Sequence, residues 1–456
     1  MDRKQVINQR QLSWIASSVI TSGGILTLQN VLIRISQMDA WYSYLLSVFY
    51  VFGVASFFGY LTKTFPERNI FEISKELLGQ WGGTIINLMI LFHFWQIVTR
   101  DISAVSRFSS TLLLHNTPLE VLILLTCFLL IYFGKSSVEV IARVNDLFYP
   151  LFVITILIMP LLLSNEFYFR LVTPAMTMPL QHVATSSLLT IGSAGDIFIL
   201  GAFLHMMYNA NQVRSSIRHG SLLGIFLLTY LIFAILVVLG PKMPGNFIYP
   251  TYNLVQMIHV TDFLDRVDII MLMVWYPTVT CKIIAIYMAL LLGISSLLNK
   301  RNYPTINKPV SLLMALTTYL SFKSSTELLD FSNYCSPIIV LAYQPLVIGL
   351  LLLASLRKQR HNPAKVSTSA EDTNPVTKPT QKVPKLSQRL SYRQWLWSGN
   401  ALMIFSAVCL LFGLMFSKYH PAIGTICAIG FACGLFLTSL TTYMEVSLLK
   451  QAEAGK

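Results

Sequence analysis

The chain has 456 residues, 54% of them hydrophobic and only 12% charged, with a mean hydropathy of +0.62. That composition is of a multi-spanning membrane protein and leaves no room for a large extramembrane catalytic unit. The net charge of +13 does not indicate nucleic acid, because the basic residues fall in connecting loops and form no patch with interleaved aromatics.

Crossing a bilayer takes about 20 apolar residues, and twelve such stretches are placed in chain order. The first runs from about 11 to 33 and the second from 41 to 62, joined by a turn around Gln37 to Asp39. The first carries Thr21-Ser22-Gly23-Gly24, and two glycines flanked by hydroxyls predict a broken helix. Interrupted backbone at membrane depth is tolerated only where protein or a watery cavity surrounds it. A break also bares helix N-terminal amides, which attract an anion such as the carboxylate of a small amino acid. The competing reading is a close helix-packing surface.

Span 3 begins near Trp81 and continues to about 113 as a polar-striped helix carrying His93, Gln96, Arg100, Ser103 and Arg107. The two arginines are placed in an outer vestibule that steers carboxylates inward, or on a solvated face. Asp101 lies off that stripe and receives no role. Spans 4 and 5 run from 118 to 134 and from 139 to 163, the latter kinked at Pro150. On span 5, Glu139, Arg143 and Asp146 stand at i, i+4 and i+7, a spacing for an intrahelical ion network that anchors or gates the inner side.

A loop over 165–182 leads to span 6, from 183 to 208, interrupted by Gly192-Ser193-Ala194-Gly195-Asp196. Asp196 opens the second half, either as a helix-dipole partner or as a contact to a ligand amino group or to Lys282. Span 7 is 219–240, followed by an outer loop and short helix to Asp262; spans 8, 9 and 10 are 266–297, 309–322 and 333–356. In span 8, Asp268, Trp275 and Lys282 recur every seven residues and share one face with Thr278. A charge inside a membrane is a functional candidate by default. The Lys282 ammonium is read either as a substitute for a bound cation or a titrating coupling group, or as a structural partner of Asp196 or of a backbone carbonyl cluster.

Pro, Ser, Thr, Lys and Gln dominate from Arg357 to Arg393, giving a disordered linker over 357–393. Two further spans follow, at 394–416 and 420–443, within a C-terminal unit of 394–456; residues 1–356 form the ten-span unit. A cytoplasmic N-terminus puts most of the 33 Lys and Arg on the cytoplasmic side, in keeping with the positive-inside rule. Spans 1 and 6 then occupy matching places in two inverted halves of five, and paired interruptions there point to a midplane transporter site.

The six cysteines lie in apolar segments without a CxxC pair, and the histidines form no HExxH or ligand-like cluster. No metal or cofactor is expected. GxSxG, P-loop and paired-carboxylate signatures are absent, so no enzyme is expected either.

Several stretches together resemble one family. They are Gly23-Gly24-Ile25-Leu26, Thr117-Pro118-Leu119-Glu120-Val121, Val138-Glu139-Val140-Ile141-Ala142-Arg143-Val144 with Pro150, Gly195-Asp196, and Trp275 with Lys282-Ile283 and Tyr287. The chain over residues 5 to 356 resembles the spore germination permeases, the B subunits of nutrient germinant receptors, in the amino acid/polyamine/organocation transporter superfamily. The resemblance implies an all-α, five-plus-five inverted-repeat transporter fold. It places a ligand pocket between broken helices 1 and 6 and helices 3 and 8. It also implies the inner membrane of an endospore, assembly with an A subunit and a lipoprotein C subunit, and sensing of a small nutrient, foremost an amino acid.

Gln29 stands where the family commonly has proline, Asp196 replaces a glutamate, and His205-Met206 lacks a proline expected further along span 6. The two C-terminal spans are an addition, and Gly424, Gly430 and Gly434 there imply close helix packing. The expected site is Thr21, Ser22, Gly23, Gly24, Gly195, Asp196 and Thr278 for the ligand, with Lys282, Arg100 and Arg143 for coupling or gating. The rival readings are a proton-coupled amino acid transporter with Lys282 as its coupling residue, and a membrane scaffold that binds no ligand. Membrane lipid is a partner on any of them.

Overall fold

A computed structural model describes residues 7–207, 209–258, 267–299, 304–361 and 391–454. It is helical throughout, with no strand among the described residues. Among the described residues nine helices are long and apolar enough to cross a membrane, or ten when one bent pair counts as a single span. The protein is an integral, multi-pass membrane protein.

The bent pair opens the chain. Helix α1 (Gln9–Thr27) and helix α2 (Gln29–Ser36), extended by a 3-10 turn to Tyr42, meet at 64°. The break falls at Leu28, not at Gly23-Gly24, which lie inside continuous α1. Polar side chains around the bend take up local bonds: Thr27 Oγ1 donates to Gly23 O, the Val31 amide donates to Asn30 Oδ1, and Thr251 donates to Gln29 Oε1. Such side-chain bonds offer the backbone an alternative to the helical ladder.

Helix α3 (Leu45–Thr64) is followed by α4 (Ile70–Leu112), capped by a reciprocal Asn69/Glu72 box and kinked at Gly79, whose φ of 74° suits glycine. Helix α5 (Leu119–Phe133) has 15 residues, about 22 Å, and falls short of a hydrocarbon core of about 30 Å. Helix α6 (Val138–Leu162) contains Pro150 and Pro160.

Helix α7 (Leu180–Gly195) does not break at its glycines. It changes into a 3-10 helix over Asp196–Met206, and the two continue as one span. Helix α8 (Ala210–Leu239) ends at Gly240, φ 74°, before the short α9 (Pro250–Gln256). Helix α10 (Val267–Leu297) includes Pro277, and α11 (Pro304–Ser321) is not among the nine. The twelve apolar stretches expected from the sequence are thus all helical, and α5 and α11 make the difference in the span count. Helix α12 (Ser325–Asp330), a π turn and α13 (Ser336–His361) form one span. Helices α14 (Tyr392–Phe416) and α15 (Pro421–Ala454) close the chain as a hairpin. The linker expected over 357–393 lies largely outside the described residues, as does part of the loop leading to Asp262.

Helix α8 is the hub, with α1, α3 and α15 packed on it. Gly220 and Gly224 face α1, and a Cβ on Gly220 would sit 2.0 Å from the Ser13 carbonyl oxygen. This is the small-residue contact that lets membrane helices approach without a hydrophobic driving force between them. Helices α6, α4 and α10 complete the ring around α1.

Candidate functional site

Four charged side chains from three elements converge beside Gly23. Helix α4 supplies Arg100 and Asp101, the first residue of the 3-10 helix supplies Asp196, and α10 supplies Lys282. Lys282 Nζ lies 3.0 Å from Asp196 Oδ2 and 2.9 Å from Asp101 Oδ2. Arg100 Nη2 lies 2.6 Å from Asp196 Oδ2 and 2.9 Å from Asp101 Oδ1, while Arg100 Nη1 donates to Ser336 Oγ at 3.1 Å. All four side chains are 6% exposed or less. Two cations and two anions make the cluster neutral, which is what permits ions at this depth.

The cluster is nonetheless incompletely bonded. Asp196 Oδ1, the Ser22 hydroxyl and both ring nitrogens of His93 are buried without a hydrogen-bond partner among the described residues. The His93 ring lies 4.9 Å from that of Tyr343 of α13, tilted by 47°, and Tyr343 accepts from Gln344, which also donates to the Gly195 carbonyl.

Gly23 completes the arrangement from α1. A Cβ there would lie 2.8 Å from Lys282 Nζ and 3.9 Å from Asp196 Oδ2, so the ammonium rests against bare backbone. A cavity of about 20 Å³ adjoins it, lined by Ser22, Gly23, Thr27, Arg100, Asp101 and Ser332 among others. That is the room of about one water, whereas small-molecule pockets run to about 300 Å³ or more. The helices are closed around their own charges.

Of the residues singled out from the sequence, Ser22, Gly23, Arg100, Asp196 and Lys282 come together here. Others point elsewhere. Thr21 donates to the Ser17 carbonyl and approaches Tyr149 of α6. Gly24 faces α8, where a Cβ would meet Leu228 at 2.6 Å, and Gly195 faces Val340 of α13. Thr278 is buried and bonded back to Val274 O.

Arg143 is exposed and, among the described residues, pairs with Glu139 alone; Asp146 bonds to Arg10 of α1, so the three-residue network on α6 does not form. Arg100 lines no outer vestibule, being 5% exposed inside the bundle, and Arg107 donates to the Phe322 carbonyl and to Ser103. Asp101, given no role from its position off the stripe, is a full member of the cluster. Helical spacing marks which Cβ atoms align, but the long guanidinium of Arg100 reaches round to the next face. Two adjacent opposite charges within an apolar span were the available signal.

Residues 6–354 match a family of proteins described as spore germination protein. The chain belongs to the spore germination protein family. It is 27% identical over 322 residues to YfkT of Bacillus subtilis (strain 168), covering 71% of this chain and 87% of that protein. It is 22% identical over 365 residues to spore germination protein YndE of the same organism, covering 77% and 97%.

The fold is also that of Mhp1, a nucleobase-cation-symport-1 family transporter solved in a closed conformation with bromovinylhydantoin bound. The TM-score is 0.56 at 13% identity, covering 96% of this chain and 93% of that one. All four members of the ion cluster lie within the segment shared with the spore germination proteins, whereas α14 and α15 lie beyond it.

Proposed function

We propose that this spore germination protein is the permease-like, germinant-sensing subunit of a nutrient receptor, and that its ligand, foremost an amino acid, binds at the Arg100–Asp101–Asp196–Lys282 cluster. In this reading residues 1–356 form the five-plus-five inverted repeat. The protein sits in the spore inner membrane with its N-terminus in the cytoplasm, assembled with A and C subunits. The observation that carries the proposal is the neutral, buried, incompletely bonded cluster set against Gly23.

A zwitterion brings one carboxylate and one ammonium, so it can replace an internal pair without changing the net charge. Its carboxylate takes the place of a carboxylate on Lys282 or Arg100, and its ammonium takes a freed carboxylate. Because the cavity holds about one water, the ligand selects a more open arrangement, and differential affinity for the two states is the signal. Only this coupling of binding to shape is required for sensing; transport is a separate step.

The test is germination of spores carrying Lys282→Ala or Gly23→Val across a panel of nutrients, with receptor levels checked by immunoblot. Loss of response to one nutrient class, with the protein present, supports the reading. An unchanged response to every nutrient overturns it and leaves the chain as a scaffold for its partner subunits. A second reading, proton-coupled amino acid transport, draws on Lys282 sitting between two carboxylates. Uptake of labelled amino acid by proteoliposomes of this chain alone, lost in Lys282→Ala, would favour it.

A further inference from the structure

The C-terminal hairpin helps to build a groove along the bundle. About 570 Å³ lies between α1, α6, α8 and α15, and half of its wall is α15. Of the α15 residues lining it, Phe436, Leu440, Tyr443, Ser447 and Lys450 recur at intervals of four and three and, with Ser439 and Val446 beside them, share one helix face. That face runs from apolar at Phe436 to basic at Lys450. Across the groove, α1 presents Arg10 in its first turn and Trp14 one turn further in, so both helices bring their cation to the same end.

The wall is anchored. Arg218 of α8 is 1% exposed, donates to Asn400 of α14 at 3.0 Å, lies 3.5 Å from Glu445 Oε1 of α15 and stacks over the Phe52 ring at 4.2 Å. His219 shares a hydrogen bond with Thr442 one turn along α15.

We infer that this groove holds one anionic phospholipid, an acyl chain between α1, α8 and α15 and the phosphate between Arg10 and Lys450. The groove runs along roughly 21 Å of α15, from Phe436 to Lys450. A single alkyl chain fits. The polarity matches an amphiphile standing along the bundle, with apolar side chains inside and cations at the mouth.

Charge then selects the headgroup. Among the described residues lining the mouth, Arg10 is balanced by Asp146 and Lys450 adds one positive charge, which a headgroup of net negative charge neutralises and a zwitterionic phosphatidylcholine headgroup does not. The Trp14 indole N–H, buried without a partner among the described residues, is a donor available to an ester carbonyl beneath the headgroup.

The test uses the full-length protein, purified in detergent and exchanged into bilayers of phosphatidylcholine with or without phosphatidylglycerol. Lipid retention is read by native mass spectrometry. The wild type should keep one phosphatidylglycerol under conditions that strip phosphatidylcholine. Lys450→Gln should lower that retention at least fivefold, and Leu440→Trp, which fills the groove, should abolish it. Lys242→Gln, an exposed lysine outside the groove, should change nothing. Equal retention of the two lipids, retention unaffected by Lys450→Gln, or no retained lipid at all would overturn the assignment. Because Lys450 is exposed, its variant keeps the test decisive even where Leu440→Trp fails to fold.

Discussion

Lys282 and Asp196, from different helices and 86 positions apart in the chain, place Nζ and Oδ2 3.0 Å from each other with both side chains fully buried. Neither can be removed alone without leaving an uncompensated charge in the buried cluster. Lys282→Met is expected to destabilise the protein by about 3–5 kcal/mol, the usual cost of breaking a buried pair. The double variant Lys282→Met with Asp196→Asn keeps the cluster neutral and should recover much of that loss. Thermal unfolding of the purified proteins measures the cycle. Additive losses would mean that the two groups are not coupled.

The glycines separate into two kinds. Gly23→Ala places a methyl 2.8 Å from Lys282 Nζ, the mobile end of a side chain that can shift, so folding should survive while the nutrient response changes. Gly220→Ala drives a methyl into the Ser13 carbonyl at 2.0 Å, and backbone cannot yield without parting α1 from α8. Its cost should reach about 3 kcal/mol, the upper part of the usual overpacking range. Folded yield and melting temperature of the two variants, measured side by side, check the contrast.

Arg218→Met should loosen the C-terminal hairpin. Glu445, fully buried, would lose the guanidinium that balances it, and Asn400 would lose its donor. A loss of about 3–5 kcal/mol is expected, with partial recovery on adding Glu445→Met. Limited proteolysis near residues 391–420 reports whether the hairpin is what opens; an undiminished melting temperature in Arg218→Met would refute the anchoring role.

Asn307 ties α11 to two neighbours, accepting from Tyr287 at 2.7 Å and donating to the Ile131 carbonyl at 2.8 Å. Asn307→Ala leaves buried groups unpaired and should cost about 1–3 kcal/mol. Asn307→Asp should be worse, since a carboxylate cannot donate to Ile131. Melting temperatures rank the two.

The membrane class was legible in composition, and most helices in runs of apolar residues, because any segment inside lipid must satisfy its own backbone and so declares itself locally. Asp196 and Lys282 were legible as candidates for a similar reason: a charge in such a run is conspicuous. The bend in the first span was anticipated but placed four residues early, because Gly23-Gly24 is permissive without being disruptive. Thr27, Gln29 and Asn30 around Leu28 supply the competing hydrogen bonds. Gly192 to Gly195 likewise marks close packing on Pro337 and Val340 and a change of helix type, not a gap.

By itself, the sequence determined that this is an all-helical membrane protein and that isolated charges lie within its spans. Those properties follow from residue type and local spacing. Tertiary structure alone decided that Arg100, Asp101, Asp196 and Lys282 form one neutral cluster, that Arg143 stands apart from it, and that Arg218 meets Glu445. Pairing of buried charges depends on which helices pack together and on how far long side chains reach, and neither is a property of any one segment.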